Sequence, residues 1–197
     1  MGLVWPSVLQ KRGVTDNMGS SSMFFHRTEY CYDIGRLKQE WESIVHPESR
    51  YGQISVQCSE YELDNPYTDS CGKFTANGKD AIQDRYPDIK TESQFYLIND
   101  LYENTLFDQI LSEHEGYRAR LMTINPKTAY SVHTDPRPRY HLAVDTNPNA
   151  FFVFPIHQEI VHIPEDGYVY WINTTKPHTF VNCGSKPRTH FVFSGGE

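Results

Sequence analysis

The chain is expected to be mostly β with flanking helices, its strands closed into a double-sheet jelly roll. Three observations carry that expectation. From Tyr117 onward, short runs rich in β-branched and aromatic residues recur at 117–124, 128–133, 139–145, 151–154, 158–163, 168–173, 178–182 and 188–193, divided by Pro, Gly or Asn. Helical signals are confined to the part before them, so helix and strand do not alternate as a parallel α/β sheet requires. Aromatic residues make up 14% of the chain, a load that suits pleated surfaces and pocket walls.

In chain order, residues 1–22 hold Gly19-Ser20-Ser21-Ser22 and no sustained period, and read as a mobile N-terminal arm. Residues 23–197 read as one jelly-roll domain, with helical and loop elaboration over 23–116 and a β core over 117–194. Asp33 precedes a helical stripe of Leu37, Trp41, Ile44 and Val45 that Pro47 stops. Residues 59–90 are polar and turn-rich, with Pro66, Gly72, Gly78 and Pro87, and read as a long surface excursion of the kind that forms lids or binding loops. Asn104 or Thr105 caps a second helix, whose buried stripe is Leu106, Phe107, Ile110 and Leu111 and whose end is Gly116.

A formal charge of −7 with no Lys/Arg cluster argues against a polyanion-binding protein, so no nucleic-acid partner is expected. Apolar runs such as Phe151 to Phe154 are far too short to span a bilayer, and Pro6 with Lys11-Arg12 breaks any signal-peptide layout. Cys31, Cys58, Cys71 and Cys183 lack CxxC spacing and read as reduced thiols. Together these point to a cytoplasmic protein with no membrane partner, of unknown oligomeric state.

The chemistry concentrates at Tyr130-Ser131-Val132-His133-Thr134-Asp135. At i and i+2 of an extended segment, His133 and Asp135 leave the same face, as chelation requires, and Pro136 and Pro138 end the strand. His178 begins a later strand after the Thr174-Thr175-Lys176-Pro177 turn. Two imidazoles and a carboxylate at three points of a rigid scaffold occupy one face of a six-coordinate metal, as in non-haem Fe(II) oxygenases. Two other pairs compete, His46-Pro47-Glu48 and His157-Gln158-Glu159; the first reads as a solvated helix end, the second as a strand pair one hairpin from His178.

Arg188 follows His178 by ten residues, one hairpin on, which places it on the adjacent strand and deeper. Its planar fork reads either as a salt bridge or as a carboxylate clamp. Arg139 and His141 share a face on the strand after the metal motif. Arg139 holds a cosubstrate or substrate carboxylate on one reading and faces solvent on the other. Trp171, Tyr130 and Tyr168 read as pocket walls or core aromatics, and His162 and His190 as packing residues.

The joint pattern His133-Thr134-Asp135, Arg139-Tyr140-His141, Asn173-Thr174-Thr175-Lys176-Pro177-His178 and Arg188 resembles the aspartyl/asparaginyl β-hydroxylase-like branch of the 2-oxoglutarate/Fe(II)-dependent oxygenases, over roughly residues 95–194. The resemblance implies a cupin-like double-stranded β-helix, with Fe(II) on His133, Asp135 and His178. It implies Arg188 on the distal carboxylate of 2-oxoglutarate, and Arg139 and His141 near the cosubstrate's metal-bound end. The implied reaction consumes dioxygen, hydroxylates an unactivated C–H of a small-molecule or peptide substrate, such as an amino-acid side chain, and releases succinate and CO2. Two departures stand out. The best-known members bind iron without a carboxylate, and Arg188-Thr189-His190 lacks their Arg-x-Ser. A cupin metalloenzyme that does not use 2-oxoglutarate and a non-catalytic jelly-roll module are the alternatives.

Overall fold

A computed structural model of the protein describes residues 23–61, 63–75 and 80–195, so the expected arm over 1–22 lies outside the described residues. The elements run β1 (Phe25–Cys31), α1 (Ile34–Ser43), β2 (Gln53–Ser55), β3 (Gln57–Cys58), α2 (Ile82–Arg85), β4 (Leu97–Ile98), α3 (Leu106–Glu113), β5 (Tyr117–Ile124), β6 (Thr128–Ala129), β7 (Arg139–Asp145), β8 (Ala150–Phe154), β9 (Glu159–Val161), β10 (Tyr168–Ile172), β11 (Thr179–Asn182) and β12 (Arg188–Ser194). The fold is mostly β with flanking helices.

The last eight strands divide between two antiparallel sheets. One has the order β10-β7-β12-β5, the other β6-β11-β8-β9. First pairs with last and each inner pair nests inside it, which is the double-stranded β-helix. The 23–116 elaboration is not helix and loop alone. In that segment β1 joins β10 and β2 joins β5, widening the larger sheet to six strands. Neither strand announces itself: β1 (Phe-His-Arg-Thr-Glu-Tyr-Cys) is polar and largely exposed, and β2 has only three residues.

Alternation along β12 explains the layering. Arg188, His190 and Val192 point between the sheets, whereas Phe191 and Phe193 join Leu121, Leu142 and Val169 in a core beneath α1 and α3. Both faces are covered, so all seven residues of β12 are buried and the strand has no solvent-facing side. A second core, including Ile124, Phe152, Phe154, Ile172 and Phe180, fills the space between the sheets.

Asp33 caps α1 by accepting from Arg36 N at 3.0 Å. The helix ends before Ile44, and Val45 is exposed rather than part of the stripe. In α3 the expected stripe is buried, but Thr105 turns its hydroxyl back to Tyr102 O. Glu40 of α1 reaches across instead and accepts from Leu106 N at 2.6 Å, a cap supplied by tertiary structure.

The 59–90 section is a packed wall rather than a surface excursion. Phe74, Ile82, Tyr86 and Ile89 are buried with Phe95 in a core of their own. Tyr86 also donates to Asp69 at 2.5 Å, and Arg85 to Cys71 O at 2.9 Å. The apolar residues are sparse and aperiodic, which hid a segment that buries Cys71, Phe74, Ala81, Ile82, Tyr86 and Ile89. All four cysteines are free. Among the described residues no helix is long and apolar enough to cross a membrane.

Candidate functional site

The β6–β11 ladder lapses after Ala129 and resumes as a single bridge between His133 and His178. Each donates its backbone N–H to the other's carbonyl at 2.9 Å, so the histidines stand directly opposite, with ring centroids 4.4 Å apart. Asp135 N donates to Thr174 O at 2.8 Å and anchors the turn beside them. One potential ligand atom from each of His133, Asp135 and His178 lies within 4.8 Å of the others. Among the described residues no other His/Cys/Asp/Glu group gathers this way, so the His46 and His157 pairs find no third ligand. Gln158 has φ 58°, which breaks the period-two geometry His157 and Glu159 would need.

Both ring orientations are fixed from behind. His133 Nδ1 lies 2.8 Å from Ser131 O and His178 Nδ1 lies 2.9 Å from Lys176 O. A carbonyl only accepts, so Nδ1 carries the proton and Nε2 presents its lone pair to the cluster. Burial pushes the Asp135 carboxyl up, but Arg139, Arg120 and the two imidazoles outweigh it and hold it below its usual range. Two imidazoles that aim Nε2 at the cluster, with a carboxylate beside them, suit a divalent iron with positions left for exogenous ligands.

The triad opens on a cavity of about 480 Å³ that Arg120, Arg139, His141 and Arg188 also line. Arg188 is 2% exposed, its guanidinium 3.8 Å over the Phe180 ring. It touches His190 Nδ1, its Nε has no partner, and it makes no ion pair among the described residues. Burial pushes its ionisation well down. Phe180 meets Phe152 at 4.8 Å, and Phe152 meets His178 at 6.1 Å, an aromatic floor from Arg188 to the triad. His141 is buried with neither ring nitrogen partnered among the described residues, and burial followed by the charge of Arg188 pushes its ionisation well below the usual range. A buried, unmatched guanidinium with a neutral imidazole between it and the triad fits the two ends of a small dicarboxylate.

Arg139 has another occupation. Its Nη1 and Nη2 donate to the two oxygens of Glu92 at 2.8 and 2.6 Å, and it touches Ser194 Oγ. Its Nε lies 3.6 Å from Asp135. The fork expected to hold a cosubstrate or substrate carboxylate is filled by the protein's own Glu92, and its exposed-surface reading fails at 2% exposure. Arg139 instead braces Asp135.

Three site residues escaped the sequence: Glu92, Arg118 and Arg120. Arg118 has φ 51° at a bulge where β5 carries an extra residue opposite β12, which re-aims its side chain onto Glu92, Ser70 O and Gly72 O. Arg118-Ala119-Arg120 inside a predicted strand was the available signal. Of the expected walls only Tyr130 lines the cavity; Trp171 stacks on His26 and Tyr168 lies under Arg27, both away from it. His190 is buried against Arg188, and His162 bonds Ala150 O at 2.9 Å.

No family model matches the chain, and no curated protein matches it. Among solved structures it is similar to a truncated collagen prolyl hydroxylase of Paramecium bursaria Chlorella virus-1, at 8% identity and TM-score 0.43, over 94% of this chain and 100% of that one. The assignment of a double-stranded β-helix rests on strand order and pairing, independent of that likeness.

Proposed function

We propose that the chain is a 2-oxoglutarate- and Fe(II)-dependent dioxygenase that hydroxylates an unactivated C–H. The observation that carries this reading is the meeting, in one cavity, of a two-histidine, one-carboxylate triad and a buried Arg188 with no acidic partner among the described residues. The motif resemblance to the aspartyl/asparaginyl β-hydroxylase-like branch supports the same reading and suggests an amino-acid side chain as target.

When bound, Fe(II) with 2-oxoglutarate supplies the hard chemistry, the oxidative decarboxylation to succinate and CO2 that drives C–H hydroxylation by dioxygen. His133, Asp135 and His178 would hold the metal through Nε2, a carboxylate oxygen and Nε2. The carbonyls of Ser131 and Lys176 keep each Nδ1 protonated, so neither ring turns its N–H toward the metal. Arg139 orients Asp135 while Glu92 keeps Arg139 from collapsing onto it. Arg188 would take the distal carboxylate of 2-oxoglutarate, a charge-assisted pair strengthened by burial. His141 stays neutral and offers one donor and one acceptor. Phe152 and Phe180 keep water from the space between.

Anaerobic titration tests this. A weak visible charge-transfer band is expected only when Fe(II) and 2-oxoglutarate are both present. Arg188→Ala should keep iron and weaken 2-oxoglutarate by at least about 100-fold, the scale of losing a buried charge partner. A folded protein with no band overturns the proposal. An Arg188→Ala variant with unchanged turnover would point instead to a metalloenzyme that does not use 2-oxoglutarate.

A further inference from the structure

Three buried guanidiniums line the cavity, those of Arg120, Arg139 and Arg188, and a fourth, Arg118, meets Arg139 at Glu92. Glu92 is shared by Arg118 and Arg139, and Asp135 lies against Arg139. Arg188 is the expected partner of 2-oxoglutarate. Arg120 remains: it is 5% exposed, lines the cavity and makes no ion pair among the described residues. Its Nη1 donates to the neutral Oε1 of Gln53 at 3.0 Å, which also accepts from Gly72 N, and its Nε has no partner. Gln53 therefore holds the guanidinium in place without neutralising it. Asp80, an acid on the same cavity wall, is taken by Arg50 at 2.6 Å and lies 3.7 Å from Arg85.

Register separates Arg120 from the cosubstrate clamp. Arg120 stands opposite Val192, whose other neighbour is His141, whereas Arg188 stands opposite Ile124. Those rows are four residues apart along β12, about 13 Å at ~3.3 Å per residue. Arg188 lies at one end of these rows, and Arg120 lies level with His141, on the side walled by β2 and the 59–90 section.

We propose that Arg120 is a specificity-determining residue that binds a carboxylate of the substrate, so that the substrate class is carboxylic acids rather than neutral molecules. The inference rests on the oxygenase reading for its reaction, though binding at Arg120 is measurable without turnover. One planar fork with an unused Nε edge carries one charge and matches a monoanionic carboxylate held side-on. Desolvating a lone guanidinium is costly, and an anion arriving with the substrate removes that cost at the moment the site fills.

The test loads the protein anaerobically with Fe(II) and 2-oxoglutarate. Thermal shift and the charge-transfer band are then followed against free amino acids, their primary amides, and short peptides with free or amidated C-termini. At least one acid should bind more tightly than its amide by about 10–100-fold, the worth of a hydrogen bond to a charged group. Arg120→Gln should erase that preference and leave the 2-oxoglutarate band intact, and Arg120→Lys should recover part of it. The acid–amide comparison in the unaltered protein stands even where a variant misfolds. Equal binding of acid and amide, no acid bound selectively, or a preference surviving in Arg120→Gln each overturns the proposal. So does loss of the 2-oxoglutarate band in Arg120→Gln, which would give Arg120 to the cosubstrate. Failure of the oxygenase reading is seen separately, as absence of the band in the unaltered protein.

Discussion

Replacing Glu92 by Gln tests whether one carboxylate holds the cationic wall of the cavity together. Glu92 is 5% exposed and accepts from both Arg139 Nη atoms and from Arg118 Nη1. Burial pushes its carboxyl up, but Arg118 and Arg139 beside it outweigh burial and hold it down to about 2, against an ordinary 4.5. At ~1.36 kcal/mol per pH unit that gap corresponds to about 3 kcal/mol, at the lower end of the about 3–5 kcal/mol expected when a buried ion pair loses one partner. Because the folded state binds this proton more weakly than the unfolded chain, the contribution is complete above pH 4.5 and disappears as pH falls toward 2, with about half gone by pH 3. For a chain of this length about 2–4 °C accompanies each kcal/mol. Glu92→Gln should therefore melt about 6–12 °C lower at neutral pH, with the difference narrowing on acidification. Circular-dichroism melts of both proteins between pH 7 and pH 3 measure it. A variant melting within about 2 °C of the parent, or a difference that does not shrink in acid, would refute the network.

Asp135→Ala should cost more iron affinity than the about 100-fold typical of losing an outer hydrogen-bond partner, and hydroxylation with it; iron titration that finds both retained would move this site to the two-histidine type. Gly167 has φ +80°, and a Cβ there would stand 2.3 Å from Tyr32 O, whose residue donates its N–H to Gly167 O at 2.9 Å. Gly167→Ala should lose at least about 1–3 kcal/mol from the backbone conformation alone, read by urea unfolding, and a loss below about 0.5 kcal/mol would contradict the close approach.

Much of the roll was legible because its strands are short runs rich in β-branched and aromatic residues, cut by turn residues. The expected runs 117–124 and 139–145 coincide with β5 and β7. The run 128–133 stops at Ala129 because the chain leaves the ladder and rejoins it at His133 alone. Two-residue spacing predicted that His133 and Asp135 leave one face, and the nested pairing of β6 with β11 brought His178 opposite. What was not legible was occupancy. Arg139 and Arg188 look alike in sequence, each an Arg beginning a strand, yet Glu92 fills one and, among the described residues, nothing acidic meets the other. Glu92 sits 47 residues before Arg139 in a short 3₁₀ turn with no periodic signal, so no local pattern connects them.

The sequence by itself determined the strand runs and the His133-x-Asp135 spacing, because these depend on neighbours along one chain segment. The hairpin expected to set Arg188 on the strand beside His178 is instead a crossing between sheets, β11 lying in one and β12 in the other. Tertiary structure alone decided which buried charges cancel. An ion pair forms wherever the fold brings opposite charges within reach, whatever their separation in the chain, and a buried charge left over is visible only once every partner has been placed. Among the described residues, Arg139 is a brace for Asp135, while Arg188 and Arg120 are left without an ion pair.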